Sequence, residues 1–136
     1  MNFAIALAVL TGGVSLVGLR SALFMYGKSR AAQRGQLSES SVVELPEARL
    51  FFAIPNALVG IAYYLTVIAL AGVVWSSRAV AVLLVALTLC ALATSIFLAL
   101  RLLKRGRVCR HCWTSHAVNA VLLILAFVQW VRTTTS

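Results

Sequence analysis

Long apolar stretches separated by short polar segments dominate this chain of 136 residues. A helix needs about 20 mostly apolar residues to cross a bilayer. Four stretches meet this requirement, near residues 3–26, 51–75, 79–103 and 113–131. Each contains Gly, Ala or Ser at positions that permit close helix packing. The pattern predicts an all-α membrane protein, a four-transmembrane-helix bundle in which residues 1–136 form a single domain.

The polar connections between the predicted spans differ in length. Residues 27–50 form the longest connection and hold all three acidic residues of the chain. Within it, the segment Val42–Leu50 is predicted to form a short amphipathic helix on the membrane surface. Ser76, Ser77 and Arg78 predict a tight hairpin between the second and third spans, and Gly106 separates the third span from the fourth.

The amino-acid composition of the chain is also typical of a membrane protein. The chain is 62% hydrophobic and 11% charged, whereas soluble domains average about half apolar and about a quarter charged. The net charge of +9 does not indicate nucleic-acid binding, because the basic residues flank the spans instead of forming a basic face on a soluble domain. We expect them to contact anionic lipid, in a multi-pass protein of the cell (inner) membrane.

The basic residues also predict an orientation. In a four-span arrangement, two lie on one side, Arg78 and Arg132. The opposite side carries nine, which are Lys28, Arg30, Arg34, Arg49, Arg101, Lys104, Arg105, Arg107 and Arg110. The positive-inside rule then places residues 27–50 and 101–112 in the cytoplasm and both termini outside.

Candidate chemistry is concentrated at residues 109–119, which read CRHCWTSHAVN. Cys109 lies at the predicted start of the fourth helix between Arg107 and Arg110, and helix N-termini and neighbouring cations favour the reactive thiolate form of cysteine. Cys112 follows three residues later, one turn deeper. This spacing allows a disulfide on one helical turn, as in thiol oxidoreductases.

Polar residues continue below the dithiol on the same helical face. At about 100° per residue, Cys109, Cys112, His116 and Asn119 fall within an arc of roughly 80°. Polar groups inside a span usually face the bundle interior or a cavity. The stripe therefore indicates a site for a hydrophobic redox partner with carbonyl groups, such as a quinone, to which His116 or a nearby amide donates a hydrogen bond.

Other interpretations of these residues stay open at this point. The cysteines could be inert, His116 could be a packing residue, and Asn119 could bond to a neighbouring helix. Zinc could use His111 or His116, but a structural site needs four ligands and the sequence has no second CxxC pair. We predict no metal site. A c-type haem would need His at the position that Trp113 occupies.

A second candidate group begins the second span. Asn56 follows Pro55 and can either cap the helix or donate a hydrogen bond to a quinone carbonyl. Gly60 permits close helix contact. Tyr63 and Tyr64 pack in the bundle or line a pocket, and we include Tyr64 among the candidate cofactor-binding residues.

Residues 48–64, which read ARLFFAIPNALVGIAYY, and residues 109–119 together resemble the vitamin K epoxide reductase family of four-helix membrane thiol oxidoreductases. The resemblance implies a quinone cofactor of the menaquinone or ubiquinone type. It also implies a thioredoxin-like dithiol protein as partner.

The resemblance assigns individual roles as well. It implies that Cys112 is the thiol next to the quinone and that Cys109 exchanges with the partner. Asn56 would donate a hydrogen bond to the quinone. His116 would occupy the position of a pocket-lining Tyr or His.

Two departures from the family pattern leave two hypotheses open. Family members usually carry a relay pair of cysteines between the first two helices, and residues 27–50 contain none. Family members also usually hold the dithiol outside the cytoplasm, whereas the charges here predict the cytoplasmic side. The chain is then either a thiol oxidoreductase whose partner reaches Cys109 directly, or a non-catalytic structural subunit of a larger membrane complex that could still hold a quinone.

Overall fold

The computed structural model describes residues 3–38, 41–50, 54–74 and 77–135. These residues form four α-helices and one short pair of strands. The helices are α1 (Phe3–Gln33), α2 (Asn56–Ala71), α3 (Arg78–Lys104) and α4 (Arg110–Thr135). The all-α architecture predicted from the apolar stretches is confirmed.

The four helices differ in their capacity to cross a membrane. The helices α1, α3 and α4 have 31, 27 and 26 residues and are long and apolar enough to span. The helix α2 is also apolar but has only 16 residues, which is about 24 Å at 1.5 Å per residue, compared with about 30 Å for the hydrocarbon core. The structure therefore supports three spanning helices and a fourth that is shorter than predicted.

Proline sets the start of α2. The prediction extended the second span over residues 51–75, and its ends at Phe51 and Trp75, like Ser76 of the predicted hairpin, lie outside the described residues. Ile54 and Pro55 are extended and belong to a strand, because the ring of proline disfavours helical geometry in the residue before it. The helix then begins at Asn56.

The connection before α2 differs from its prediction. Instead of one amphipathic helix over 42–50, the chain forms two single-turn 3-10 helices, Val42–Glu44 and Pro46–Ala48. Pro46 lacks a backbone N–H and cannot continue a helix. The strand β1 (Arg49–Leu50) then pairs antiparallel with β2 (Ile54–Pro55).

Small residues on one face of α1 allow the helices to approach closely. The buried positions recur every three or four residues, as expected for one helical face, and are Leu7, Thr11, Ser15, Gly18, Ser21, Ala22 and Ser29. A Cβ atom at Gly18 would overlap the ring of Tyr64 in α2. The helix α1 packs along α2 and α4, and α3 packs chiefly along α4.

The dithiol and the basic connections lie at the same end of the bundle. The ring of Phe24, near the end of α1, stacks on the ring of His111 in α4 with centroids 4.1 Å apart. Gly106 adopts a φ of 63°, a left-handed conformation that favours glycine and turns the chain from α3 towards α4. All nine basic residues predicted for this side have exposed side chains.

A polar contact joins α1 to α4 at the opposite end. Gln129 Nε2 donates a hydrogen bond to Thr11 Oγ1 at 3.0 Å, and Thr11 Oγ1 donates to the Leu7 carbonyl at 2.8 Å. Both Thr11 and Gln129 are buried. In a membrane, apolar side chains pack about as well against lipid as against another helix. Hydrogen bonds between buried polar side chains therefore contribute to holding helix pairs together.

Candidate functional site

A cavity of about 200 Å³ lies at the dithiol end of the bundle. Residues of all four helices line it, and Val42, Val43 and Ala48 of the preceding connection contribute to it as well. Most of its lining is apolar, with a few polar side chains among the apolar ones. This composition is typical of sites that hold small hydrophobic ligands and orient them with a few hydrogen bonds.

The two cysteines occupy different positions relative to this cavity. They form a disulfide with a Cα–Cα distance of 5.2 Å, within the usual range for disulfides. Cys112 lines the cavity. Cys109 precedes α4, is partly exposed, and has its Sγ atom 3.9 Å from Sδ of Met25 and 3.3 Å from the Cys112 backbone nitrogen. Both cysteines are therefore partly exposed, but only Cys112 belongs to the lining of the cavity.

The predicted polar stripe faces the cavity below the dithiol. His116 and Asn119 both line the cavity, together with Cys112. Asn56, the first residue of α2, and Tyr64, two turns further along α2, line it too. The structure therefore brings these five predicted site residues around one cavity, while Cys109 stays at its margin.

Two of these residues are engaged with each other. The Tyr64 hydroxyl donates a hydrogen bond to Asn119 Oδ1 at 3.0 Å and lies 3.4 Å from the Ser115 carbonyl. Asn119 Nδ2 donates to Ser95 Oγ at 2.6 Å. These bonds link α2, α4 and α3 through buried side chains, so Tyr64 and Asn119 support the cavity from below.

At the cavity, His116 and Tyr63 have buried polar atoms with no hydrogen-bond partner among the described residues. These atoms are the two ring nitrogens of His116 and the hydroxyl oxygen of Tyr63. A buried polar group without a partner costs about 1 to 3 kcal/mol, and such groups call for an explanation when they occur in a native structure. Both residues line the cavity, so a ligand in the cavity can supply the missing partners.

Tyr63 also lines the cavity, although it was not among the predicted cofactor-binding residues. A helical spacing would have revealed it, because Asn56, Gly60 and Tyr63 are related as i, i+4 and i+7 and share one helix face. All three line the cavity. Tyr64 lies about 100° away around the helix and points its hydroxyl to Asn119.

The vitamin K epoxide reductase family model matches residues 3–127 of the chain. The chain belongs to this family. The resemblance inferred from residues 48–64 and 109–119 is thereby confirmed. The vitamin K epoxide reductase family is one of quinone-linked membrane thiol oxidoreductases that work with thiol partner proteins. No curated protein matches the chain.

The surroundings of Cys109 differ from what the family pattern leads one to expect. With no cysteine in residues 27–50, this vitamin K epoxide reductase family member has no loop relay at that place. The margin around Cys109 is open and basic, because Arg107 and Arg110 are exposed and Val108 is 79% exposed. The surface beside Cys109 is therefore exposed and positively charged.

The two histidines considered as zinc ligands both make aromatic contacts. No group of three or more His, Cys, Asp or Glu side chains in the described part of the chain could hold a metal ion. His111 stacks on Phe24, and the ring of His116 makes an edge contact with Trp113 at 5.9 Å between centroids.

Proposed function

We propose that this chain is a quinone-linked thiol–disulfide oxidoreductase that cycles the Cys109–Cys112 pair. The observation that carries the proposal is the disulfide at the cavity, with Cys112 lining the cavity and Cys109 partly exposed. A disulfide so placed can react with a lipid-soluble ligand through one sulfur and with a water-exposed thiol through the other.

The cavity residues fit a quinone of the menaquinone or ubiquinone type. The lining is mostly apolar, which suits an aromatic ring, and His116 supplies nitrogens that lack a protein partner among the described residues. A neutral imidazole has one N–H donor, which suits a carbonyl oxygen. Asn56 lies at the same cavity and its amide is a second candidate donor.

The redox step balances on the two thiols. A bound quinone accepts two electrons and two protons when the Cys109 and Cys112 S–H bonds break and the S–S bond forms. The sulfur of Cys112 lies on the cavity side and is the one adjacent to the ligand. The surrounding apolar side chains exclude water, which protects the reactive thiolate during this step.

The disulfide is then reduced by a partner dithiol. A thiolate of the partner attacks the Cys109 sulfur, which forms a mixed disulfide and releases the Cys112 thiolate, and the second thiol of the partner resolves it. We infer that a thioredoxin-like protein does this directly, since residues 27–50 offer no intermediate cysteine.

We further propose that the chain resides in the cell (inner) membrane with the dithiol end in the cytoplasm. All nine basic residues of that end are exposed, and such residues are retained on the cytoplasmic side and contact anionic lipid. The partner would then be a cytoplasmic dithiol protein.

Counting thiols tests the function. Cys90 is a free, exposed cysteine on α3, so a fully reduced chain carries three thiols that a mass tag can label and the disulfide form carries one. We expect rapid loss of two tags when the reduced, purified protein meets a naphthoquinone. In the Cys90→Ser control, the count should fall from two to none.

A second candidate is a non-catalytic subunit of a larger membrane complex. The absence of cysteine from residues 27–50 favours it, since a chain that lost its relay need not turn over. This alternative predicts that Cys109 and Cys112 keep their thiols in the presence of every quinone tested and that the chain co-purifies with partner subunits. Retention of both tags would therefore contradict the oxidoreductase proposal.

A further inference from the structure

Tyr63 and Tyr64 are adjacent in sequence but differ in how their hydroxyl groups are used. The Tyr64 hydroxyl bonds to Asn119, whereas the Tyr63 hydroxyl is buried without a hydrogen-bond partner among the described residues. The rings of the two tyrosines contact each other, with centroids 5.0 Å apart and planes inclined by 57°. This contact fixes the Tyr63 ring against the core of the bundle.

The position of the Tyr63 hydroxyl is costly unless something binds to it. Inside a membrane bundle no bulk water is present to replace a missing partner, and Tyr63 lines the same cavity as His116. Phenylalanine would fill this site without the cost of burying a hydroxyl. The hydroxyl therefore indicates a ligand atom that accepts a hydrogen bond.

We propose that the Tyr63 hydroxyl donates a hydrogen bond to one carbonyl oxygen of the quinone while His116 serves the other, so that the pair selects a ring with two separated oxygens. This inference rests on the proposed quinone site. Tyr63 belongs to α2 and His116 to α4, so the two polar groups reach the cavity from different helices.

Tyr63 and His116 together would make the cavity selective against ligands that cannot bond to both side chains. A site whose buried polar groups are designed to bond a ligand discriminates against analogues that leave those groups unpaired. A ring with one oxygen would satisfy either Tyr63 or His116 and leave the other without a partner.

The substitution Tyr63→Phe tests the inference because it removes only the hydroxyl. We expect the dissociation constant of 2-methyl-1,4-naphthoquinone, measured by equilibrium dialysis on the full chain in detergent, to rise about three- to tenfold, the range for one neutral hydrogen bond. Thermal stability without ligand should stay the same or increase, since an unpaired hydroxyl has been removed. Tyr26→Phe is the matched control, because the Tyr26 hydroxyl accepts a hydrogen bond from Arg30 outside the cavity, and it should leave the affinity unchanged.

The double variant Tyr63→Phe/His116→Phe distinguishes one shared oxygen from two. If each side chain bonds a different carbonyl, the two fold-losses multiply. A combined loss equal to the larger single loss would overturn the assignment of separate oxygens.

An infrared measurement on the unmodified protein provides a test that does not depend on the folding of a variant. Both carbonyl bands of the bound naphthoquinone should shift to lower wavenumber. A comparison with Tyr63→Phe then assigns the bands, since one of them should return. An unshifted second band in the unmodified protein, or an unchanged affinity in Tyr63→Phe, overturns the role of Tyr63 while the quinone site stands. If the unmodified protein binds no quinone at all, the proposed function fails and this inference fails with it.

Discussion

The hydroxyl of Tyr64 lies 3.0 Å from Oδ1 of Asn119 and joins α2 to α4 below the cavity. Asn119 continues the connection to Ser95 of α3. Residues predicted as ligand contacts thus form a buried support that holds three helices at fixed separation. The adjacent Tyr63 and the nearby His116 also line the cavity, and their polar atoms have no hydrogen-bond partner among the described residues.

Removing the Tyr64 hydroxyl should destabilise the protein with little effect on ligand affinity. Tyr64→Phe leaves Asn119 Oδ1 buried without this donor, and we expect a loss of about 1 to 2 kcal/mol in the free energy of unfolding. The measurement is thermal unfolding in detergent, side by side with Tyr63→Phe, for which no loss is expected. Equal stability in the two variants would contradict the division of roles.

Close packing of Gly18 against Tyr64 should make that glycine difficult to replace. A Cβ at this position would overlap the Tyr64 ring, so Gly18→Ala should displace Tyr64 and cost about 1 to 3 kcal/mol.

Gly13→Ala provides the matched control for this prediction. Gly13 is on the same helix, and a Cβ there has no atom within 4 Å. We expect Gly13→Ala to be neutral or stabilising by up to about 1 kcal/mol, because alanine favours the helix. If both substitutions changed the melting temperature equally, the contact of Gly18 with Tyr64 would make no measurable contribution to stability.

The two cysteines should trap a partner differently. In Cys112→Ser, the Cys109 thiolate can attack the disulfide of an oxidised partner and release one partner thiolate. Without Cys112 to displace it, the mixed disulfide on Cys109 should accumulate and be visible on a non-reducing gel. Cys109→Ser should accumulate little adduct, because Cys112 lines the cavity. The Cys90→Ser variant should behave as the unmodified protein. More adduct on Cys112 than on Cys109 would reverse the proposed order of thiol exchange.

The orientation of the bundle can be read from a single exposed position. Val108 is 79% exposed beside the dithiol, so Val108→Cys, placed in a chain with Cys90, Cys109 and Cys112 changed to Ser, reports on which side that end lies. We expect a membrane-impermeant maleimide to label it only after the membrane of intact cells is opened. Labelling in intact cells would place the dithiol outside, as is usual in the family.

The apolar stretches predicted the long helices well, because a bilayer demands unbroken apolar runs and internal backbone hydrogen bonds. The segment 42–50 was predicted less well. Its alternation of polar and apolar residues suggested one helix, but Pro46 divides it into two single turns. Hydropathy alone also extended the second span beyond the limits that Pro55 imposes on α2.

Helical spacing identified the face of α4 that lines the cavity, from Cys112 to Asn119. It did not reveal which polar groups are engaged by other helices. The Tyr64–Asn119 bond spans 55 positions in sequence. Only the placement of α2 relative to α4 therefore decides that the Tyr64 hydroxyl has a partner while the Tyr63 hydroxyl has none among the described residues. Pairings of this kind depend on how each helix is rotated about its axis within the bundle. The residue pattern of one helix does not give that rotation.

The position of the disulfide has a consequence for the two substrates of the proposed reaction. Cys109 and Cys112 are separated by a Cα–Cα distance of 5.2 Å, yet Cys112 lines the cavity and Cys109 lies outside its lining. In the proposed reaction, a water-soluble reductant and a lipid-soluble oxidant would therefore use the same covalent bond from opposite sides. Electrons would pass between them within about one helical turn, without direct contact between the two reactants.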